Sequence, residues 1–399
     1  MKRWAAAVFL GLVISLSLQT NGSAAIVHDF SKSSGDGEHP TGSLILSGST
    51  LYGMTCYGGN NYGGIVFRIE TDGSDYFIMH DFSGGLNDGK YPNGSLILSG
   101  STLYGMTYYG GDSDMGVVFR IKTDGSGFSL LHEFTGGLND GKYPNGSLIL
   151  SGSTLYGMTY YGGDSDMGVV FRIKTDGSDY FIMHEFTGGG NDGSHPAGSL
   201  ILSGSTLYGM TYYGGDSDMG VVFRIKTDGS GFSLLHEFTG GGNDGSHPAG
   251  SLIVSGPTLY GMTSEGGASD YGVVFRIETD GSGFSLLHEF SGGSNDGSLP
   301  PGSLILNGST LYGMTNTGGD NDMGVVFRIK TDGSGFSLLH EFSGGDNDGA
   351  YPNDSLIISG STLYGMTYYG GSWNNFGVLF SLPLSTMNPG GLFLLLLSK

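Results

Sequence analysis

The segment Leu-Tyr-Gly-Met-Thr recurs seven times at a spacing of 52 residues, and this repeat limits the possible folds more than any other feature. A fixed period of this size indicates a solenoid, a propeller or an array built from one supersecondary unit. The repeat therefore groups the 399 residues into one domain, although length alone would allow two or three. The copies begin at Leu51, Leu103, Leu155, Leu207, Leu259, Leu311 and Leu363.

One copy predicts four short antiparallel strands. In the third copy these are residues 147–150, 154–159, 169–174 and 181–186. Asp176-Gly177 is a tight hairpin signal between the last two strands, and no window has useful helical periodicity. Four strands in about 40–50 residues is the pattern of a propeller blade. Gly157, in the second strand, is expected to allow close approach of the adjacent blade.

The two ends of the repeat region predict ring closure. Residues 26–30 read as a fourth strand with no blade before them, and the last copy ends after its third strand near residues 380–382. The first strand can complete the last blade, which removes the exposed edges of an open array. The prediction is an all-β fold in which residues 26–382 form a single closed seven-bladed β-propeller with four-stranded blades.

The segments outside the repeats predict export. Residues 1–25 combine Lys2 and Arg3, an apolar stretch, and the small residues Ser23 and Ala25, as in a secretory signal peptide. The alternative is an uncleaved N-terminal anchor. Residues 383–399 form a short C-terminal tail whose apolar run, 392–397, is far below the ~20 residues of a membrane span. The expected location is therefore extracellular or the cell surface, with no transmembrane span in the mature chain.

The charge and the cysteine content exclude some partners and bonds. The chain has 37 acidic against 16 basic residues, a surface that repels nucleic acids and anionic lipids. Cys56 is the single cysteine, so no intrachain disulfide forms.

The repeat string resembles a known family. Within residues 28–380, LYGMT-x-x-GG-x-x-x-x-GVVFRI-x-TDG is followed by HEF-x-GG-x-NDG-x-x-P-x-GSLI. This is similar to the GloVer tandem repeat of secreted bacterial proteins with variable C-terminal anchors (the choice-of-anchor family). The resemblance implies export and a repeat architecture, and it assigns no reaction.

The long loops provide the candidate binding site. Strand order places the loop between strands two and three and the loop between blades on one face, where functional residues of propellers tend to lie. Tyrosine rings there could cover the apolar faces of sugars while carboxylates accept from hydroxyls. The alternative is that one tyrosine of each pair packs under its loop. The candidate residues are Tyr108, Tyr109, Asp112, Asp114, Tyr160, Tyr161, Asp164, Asp166, Tyr212, Tyr213, Asp216 and Asp218.

Two further side-chain types have both a chemical and a structural interpretation. Asp164 and Asp166, with Asp192 from a neighbouring loop, could contribute oxygen ligands to calcium, or they could simply form turns. His184 lies among apolar strand residues and is expected to be buried with a hydrogen-bonding partner. No other cofactor is expected.

These observations favour a multivalent carbohydrate-binding propeller without enzymatic activity, whose partner is a polysaccharide or a cell-surface glycan. Seven near-identical copies supply the same residues seven times, whereas catalysis needs different groups at one site. No nucleophile elbow, P-loop or HExxH string occurs, and the unusual residues Glu265 and Trp373 are too few for a catalytic set. The alternatives are a structural or adhesive surface protein and, third, a glycoside-active enzyme.

Overall fold

The computed structural model describes residues 23–31, 35–372 and 375–384, and its regular structure within these ranges is entirely β. Seven four-stranded antiparallel sheets form the seven blades, as predicted. Blades 1 to 7 comprise residues 37–81, 97–133, 149–185, 201–237, 253–289, 305–341 and 357–383, the last completed by 25–29. Most of the predicted signal peptide (1–22), most of the predicted tail (385–399) and Trp373 lie outside the described residues. The described ranges hold no helix that could cross a membrane.

The two inner strands of each blade surround the propeller axis. The first strands are Gly37–Ser47, Ile97–Ser99, Ile149–Ser151, Ile201–Ser203, Ile253–Ser255, Ile305–Asn307 and Ile357–Ser359. The second strands are Thr50–Gly58, Thr102–Thr107, Thr154–Thr159, Thr206–Thr211, Thr258–Thr263, Thr310–Thr315 and Thr362–Thr367. The first strand of blade 3 starts two residues later than predicted, because the amide of Ser147 bonds to Ser199 of the next blade instead.

The two outer strands follow the sequence pattern closely. The third strands are Ile65–Glu70, Val117–Lys122, Val169–Lys174, Val221–Lys226, Val273–Glu278, Val325–Lys330 and Val378–Pro383. The fourth strands are Phe77–Asp81, Ser129–Glu133, Phe181–Glu185, Ser233–Glu237, Ser285–Glu289, Ser337–Glu341 and, for blade 7, Ala25–Asp29.

The ring is closed by the N-terminal strand, which confirms the prediction. Ala25 pairs with Ser381 and Ile26 with Phe380, antiparallel to the third strand of blade 7. The Phe30 side chain is fully buried between blades 7 and 1. The junction between blades 7 and 1, which we call the seam, is therefore stabilised by strand hydrogen bonds and by apolar packing.

The hydrophobic core lies between neighbouring blades rather than within them. Alternation along the second strand turns Leu155 toward blade 2, whereas Tyr156 and Met158 face blade 4. Gly157 has a different role from the one predicted. A Cβ there would lie 2.6 Å from Cζ of Phe171, its register partner in the same blade. The glycine makes room for that ring and not for the adjacent blade.

Two-residue ribbons order the long-loop face, defined as the face that carries the loops between strands two and three and the loops between blades. Each ribbon pairs the chain entering a blade with that blade's loop between strands two and three. In blade 1 the same pairing lies within longer strands, where Gly37 pairs with Gly58. The six separate ribbons are Gly89–Lys90 with Tyr109–Gly110, Gly141–Lys142 with Tyr161–Gly162, Gly193–Ser194 with Tyr213–Gly214, Gly245–Ser246 with Glu265–Gly266, Gly297–Ser298 with Thr317–Gly318, and Gly349–Ala350 with Tyr369–Gly370.

Candidate functional site

The tyrosine pairs sit where the second strand leaves the blade. Thr159 Oγ1 donates a 2.7 Å hydrogen bond to the carbonyl of Tyr161, and the Tyr160 amide donates to the carbonyl of Tyr143 at 3.1 Å. The ribbon adds a pairing of Tyr161 with Lys142. These hydrogen bonds hold the backbone of both tyrosines in place on the long-loop face.

The second tyrosine of each pair joins a series of aromatic rings that we call the aromatic arc. Ring centroids of Tyr143 and Tyr161 are 6.1 Å apart, those of Tyr161 and His195 4.9 Å, and those of His195 and Tyr213 5.6 Å. Such edge-on contacts are favourable between aromatic rings. The arc passes through eleven rings, two from each of blades 7, 1, 2, 3 and 4 and one from the chain entering blade 5: Tyr351, Tyr369, His39, Tyr57, Tyr91, Tyr109, Tyr143, Tyr161, His195, Tyr213 and His247.

Sequence reasoning identified Tyr109, Tyr161 and Tyr213 and missed the other eight rings of the arc. The missed rings are Tyr57, Tyr369 and six that each stand directly before a proline in the chain entering a blade. Three of them are histidines, which taken alone form no complete ring around the propeller. With the tyrosines at the same position of other copies they form an aromatic set, and this equivalence is the signal that could have identified them. Their backbone is left-handed, with φ of 54° at Tyr143 and 55° at His195, a conformation that bulky residues rarely adopt.

The first tyrosine of each pair faces the propeller axis. Tyr108, Tyr160 and Tyr212 line one side of a central cavity of about 600 Å³. Tyr108 also stacks on Tyr143, with 5.1 Å between centroids and 13° between planes. Burial, followed by the neighbouring phenols, raises the pKa of Tyr108 and of Tyr160 to about 12. These phenols therefore stay neutral and can donate and accept hydrogen bonds.

Neither tyrosine of a pair is hidden under its loop. Tyr108 and Tyr109 are both half-buried, as are the pairs of blades 3 and 4. The structure thus assigns the two rings different surroundings, the first at the cavity and the second in the arc, rather than one buried and one exposed position.

The histidines of the arc are anchored in different ways. His39 Nδ1 lies 2.9 Å from the carbonyl of Tyr368, and His247 Nδ1 lies 2.9 Å from Glu265 Oε2. Burial lowers the pKa of His195, so its ring is neutral at neutral pH. Elsewhere in the arc, the ammonium groups of Lys90 and Lys142 lie over the rings of Tyr91 and Tyr143, at 4.5 Å and 5.9 Å from the centroids.

The arc is interrupted at blades 5 and 6 by a segment that we call the polar gap. Its residues occupy the loop positions that carry rings elsewhere: Ser264, Glu265, Leu299, Asn316 and Thr317. They bond among themselves and with the end of the arc. Ser264 Oγ donates to the carbonyl of His247 at 2.6 Å, and the hydroxyls of Ser298 and Thr317 are 2.8 Å apart.

The candidate carboxylates separate into two groups. The first group shapes the loops: Asp114, Asp166 and Asp218 each accept a 2.9 Å hydrogen bond from the glycine amide four residues earlier. The Asp166 carboxylate also pairs with Lys142 at 2.9 Å. The second group, Asp112, Asp164 and Asp216, has exposed side chains at the loop tips.

The three carboxylates of the calcium interpretation do not share one loop environment. Asp192 lies beside the next blade's loop, where its carbonyl accepts from the amide of Gly215, and Asp140 takes the corresponding place beside Asp164 and Asp166. The reason is that the segment carrying Asp192 connects blade 3 to blade 4. It pairs with the loop of blade 4 and not with the blade 3 loop that carries Asp164 and Asp166. Across the described ranges, no group of three or more His, Cys, Asp or Glu side chains is arranged to hold a metal ion.

The histidines of the fourth strands lie outside this site. His184 Nε2 is 3.0 Å from Asp192 Oδ1, and its ring stacks on Phe232 of the next blade with 3.6 Å between centroids. Asp192 also accepts from the amide and hydroxyl of Thr187 and from the amide of Gly193. His184 is half-buried rather than buried, its expected partner is a loop carboxylate, and the unit links two blades.

Comparisons with known proteins agree with the repeat and the fold. The model of the Gloeobacter/Verrucomicrobia repeat matches residues 5–223 and 216–391, the family suggested by the repeat string. No curated protein matches the chain.

Several solved structures share the architecture. An oligogalacturonate lyase from Vibrio parahaemolyticus is 10% identical, with a TM-score of 0.57 and coverage of 92% of this chain and 94% of that one. An oligogalacturonate lyase in complex with manganese is 12% identical, with a TM-score of 0.55 and coverage of 87% and 89%. The Niastella koreensis GH74 enzyme is 14% identical, with a TM-score of 0.53, and the match covers 88% of this chain but 55% of that enzyme. At such identities the similarity shows the propeller fold alone.

Proposed function

The chain belongs to the Gloeobacter/Verrucomicrobia repeat family, and we propose that it is an exported propeller that binds neutral carbohydrate on its long-loop face. The observation that carries the proposal is the aromatic arc, an unbroken series of ring contacts from blade 7 through blades 1 to 4 to the chain entering blade 5. The rings are held by ribbon hydrogen bonds and by each other, so little side-chain freedom is lost on binding.

The chemistry of the arc suits an uncharged sugar. Ring faces and edges can pack against the C–H faces of pyranose units, and neutral phenols such as Tyr108 and Tyr160 can exchange hydrogen bonds with hydroxyls. The net charge of −21 and the exposed loop carboxylates disfavour uronate or sulfate groups. We therefore expect selectivity for neutral over acidic polysaccharides.

We propose binding without cleavage. Glycoside hydrolysis ordinarily uses two carboxyl groups on either side of the scissile bond. Among the described residues that line the central cavity, Asp354 is the one carboxylate. The composition of this lining therefore favours a binding protein over a glycoside-active enzyme.

A second candidate function is adhesion to another protein at the cell surface. Leu86 and Leu138, on the loops entering blades 2 and 3, are 74% and 75% exposed. Two exposed leucines on adjacent loops are the kind of apolar surface that contacts proteins. This function would require no sugar and would be unaffected by changes in the arc.

Retention on insoluble polysaccharides tests the proposal. The wild-type protein should be retained on at least one of cellulose, insoluble xylan or starch granules. The triple variant Tyr109→Ala, Tyr161→Ala, Tyr213→Ala should lose retention, because three adjacent rings are removed, and a single change should only weaken it. Phe181→Ala is the matched control, since Phe181 is an exposed aromatic on the outer strand of blade 3.

The outcomes separate the alternatives. Retention that survives the triple change in a folded protein would contradict the role of the arc. Self-assembly or cell coating without retention on any polysaccharide would favour adhesion. A chelator should leave retention unchanged, and a loss on chelation would favour the calcium-assisted version.

A further inference from the structure

The central cavity differs from the seven-fold pattern in a way that points to a single site. Near the axis six blades contribute a Gly-Ser step and blade 7 an Asp-Ser step, and the serines bond from blade to blade. The amide of Ser43 donates to Ser95 Oγ at 2.7 Å, and the same bond recurs through five further steps to Ser355. The cavity wall thus contains a ring of serines, together with leucine and isoleucine residues of the first strands.

The glycines of this ring have no space for side chains. A Cβ at Gly42 would lie 2.0 Å from the carbonyl oxygen of Gly94, and one at Gly250 would lie 2.0 Å from that of Gly302. Blade 7 departs from this rule, because Asp354 stands where the other six blades have glycine. Its carboxylate closes the serine ring at the seam, accepting from Ser43 Oγ at 2.9 Å and from the amide of Ser355 at 2.6 Å.

The two sides of the cavity therefore differ chemically. One side presents Tyr108, Tyr160 and Tyr212 together with Asn93 and Asn145, whereas the blade 7 side presents Asn353 and the one carboxylate of the lining, Asp354. Asn353 is exposed, so its amide is available to a ligand. Aromatic rings opposite amide and carboxylate acceptors form an arrangement that can hold a sugar by one face and by its hydroxyls.

We infer that the central cavity is one asymmetric site, on the propeller axis, for the end of a neutral glycan chain. The inference rests on the proposed function and makes it more specific. In this arrangement Tyr108, Tyr160 and Tyr212 contribute to one shared site rather than to three equivalent sites. The volume of about 600 Å³ lies within the range of small-ligand pockets. Burial raises the pKa of Asp354, so the exclusion of uronate ends comes from the acidic surface of the protein.

Calorimetric titration with soluble hexasaccharides tests the inference. One of cellohexaose, xylohexaose or maltohexaose should bind with a stoichiometry of one per chain, and hexagalacturonate should not bind. Asp354→Gly, which installs the residue of the other blades, should weaken binding roughly tenfold through loss of a buried hydrogen-bonding group. Asn353→Ala should weaken it roughly two- to tenfold and keeps the test valid if the seam variant fails to fold.

The outcomes are distinguishable from those of the proposed function. A stoichiometry of three or more, or unchanged affinity in a folded Asn353→Ala variant, would overturn the central site. If polysaccharide retention still depended on the arc, the proposed function would stand while this inference failed. If neither polysaccharide nor hexasaccharide bound, both would be wrong.

Discussion

The aromatic arc and the polar gap share one backbone but present different surfaces. Tyr143 in the arc has a φ of 54° and Leu299 in the gap one of 55°. The amides of Gly162 and Gly318 each donate a 2.9 Å hydrogen bond to an aspartate side chain of the same loop. Because the gap folds this way without tyrosine or histidine rings, the arc residues are not needed to build the loops. Their rings are available for contact with a ligand.

The largest expected effect comes from removing the strand that holds the arc together at the seam. Deleting residues 26–30 uncovers the third strand of blade 7 and removes Phe30 from the core, so the protein should aggregate and lose its cooperative melting transition. The contact between His39 and Tyr369 spans this seam, with 5.1 Å between centroids. Hydrogen exchange should therefore rise first around blades 7 and 1 rather than in the gap blades.

A rescue experiment provides the control for this deletion. A synthetic peptide of residues 23–31 should restore monomer content and exchange protection in blade 7. Unchanged melting and monomer content after the deletion would show that this strand does not close the ring.

Acid should destabilise both regions alike. Burial alone would raise the pKa of Asp140, but the hydrogen bond and charge of His132 and the bonds from Thr135 outweigh it and hold the pKa below its usual value. A lowered carboxyl pKa contributes stability above the unfolded value near 3.9, and this contribution is lost as the pH falls below about 4. The pKa is lowered in this way for six loop carboxylates: Asp36, Asp88, Asp140, Asp244, Asp296 and Asp348.

Urea unfolding between pH 3 and pH 7 measures this loss. Asp140→Asn, on the arc side, and Asp296→Asn, on the gap side, should each reduce stability at pH 7 by a similar amount and flatten the pH dependence. Strongly unequal effects would mean that the two regions do not share one structural frame.

The smallest expected effect comes from extending the arc across the gap. Glu265→Tyr, Leu299→Tyr and Thr317→Tyr together should add rings on a backbone that already has the required conformation. Affinity for the retained polysaccharide should increase roughly two- to tenfold. The matched control replaces the same three residues by serine and should give no increase. A gain with the serine variant would show that removing the Glu265 charge, rather than adding rings, improves binding.

Much of the fold could be predicted because its causes are local. The 52-residue period sets the number of blades, the split fourth strand sets the closure, and alternating apolar residues set the strands. The bounds predicted for 154–159 and 169–174 agree with the strands Thr154–Thr159 and Val169–Lys174. Strand order also predicts that the long loops share one face, because antiparallel strands alternate in direction.

The site was predictable only in part, because its contacts join residues that are close in space but belong to different copies. The tyrosine pairs were recognisable from the sequence, whereas the rings before the loop proline became relevant only when the ring geometry placed His195 between Tyr161 and Tyr213. The sequence around Asp166 and Asp192 does not distinguish them from carboxylates without a partner, yet the fold supplies hydrogen-bond donors to both.

The sequence by itself determined the propeller, its closure and the composition of its long-loop face. The tertiary structure alone decided that eleven rings join into an arc broken at blades 5 and 6, and that Asp354 reaches Ser43, a residue 311 positions away. The physical reason is that strand formation depends on neighbours along the chain, whereas the surroundings of a loop side chain depend on which blades the closed ring brings together.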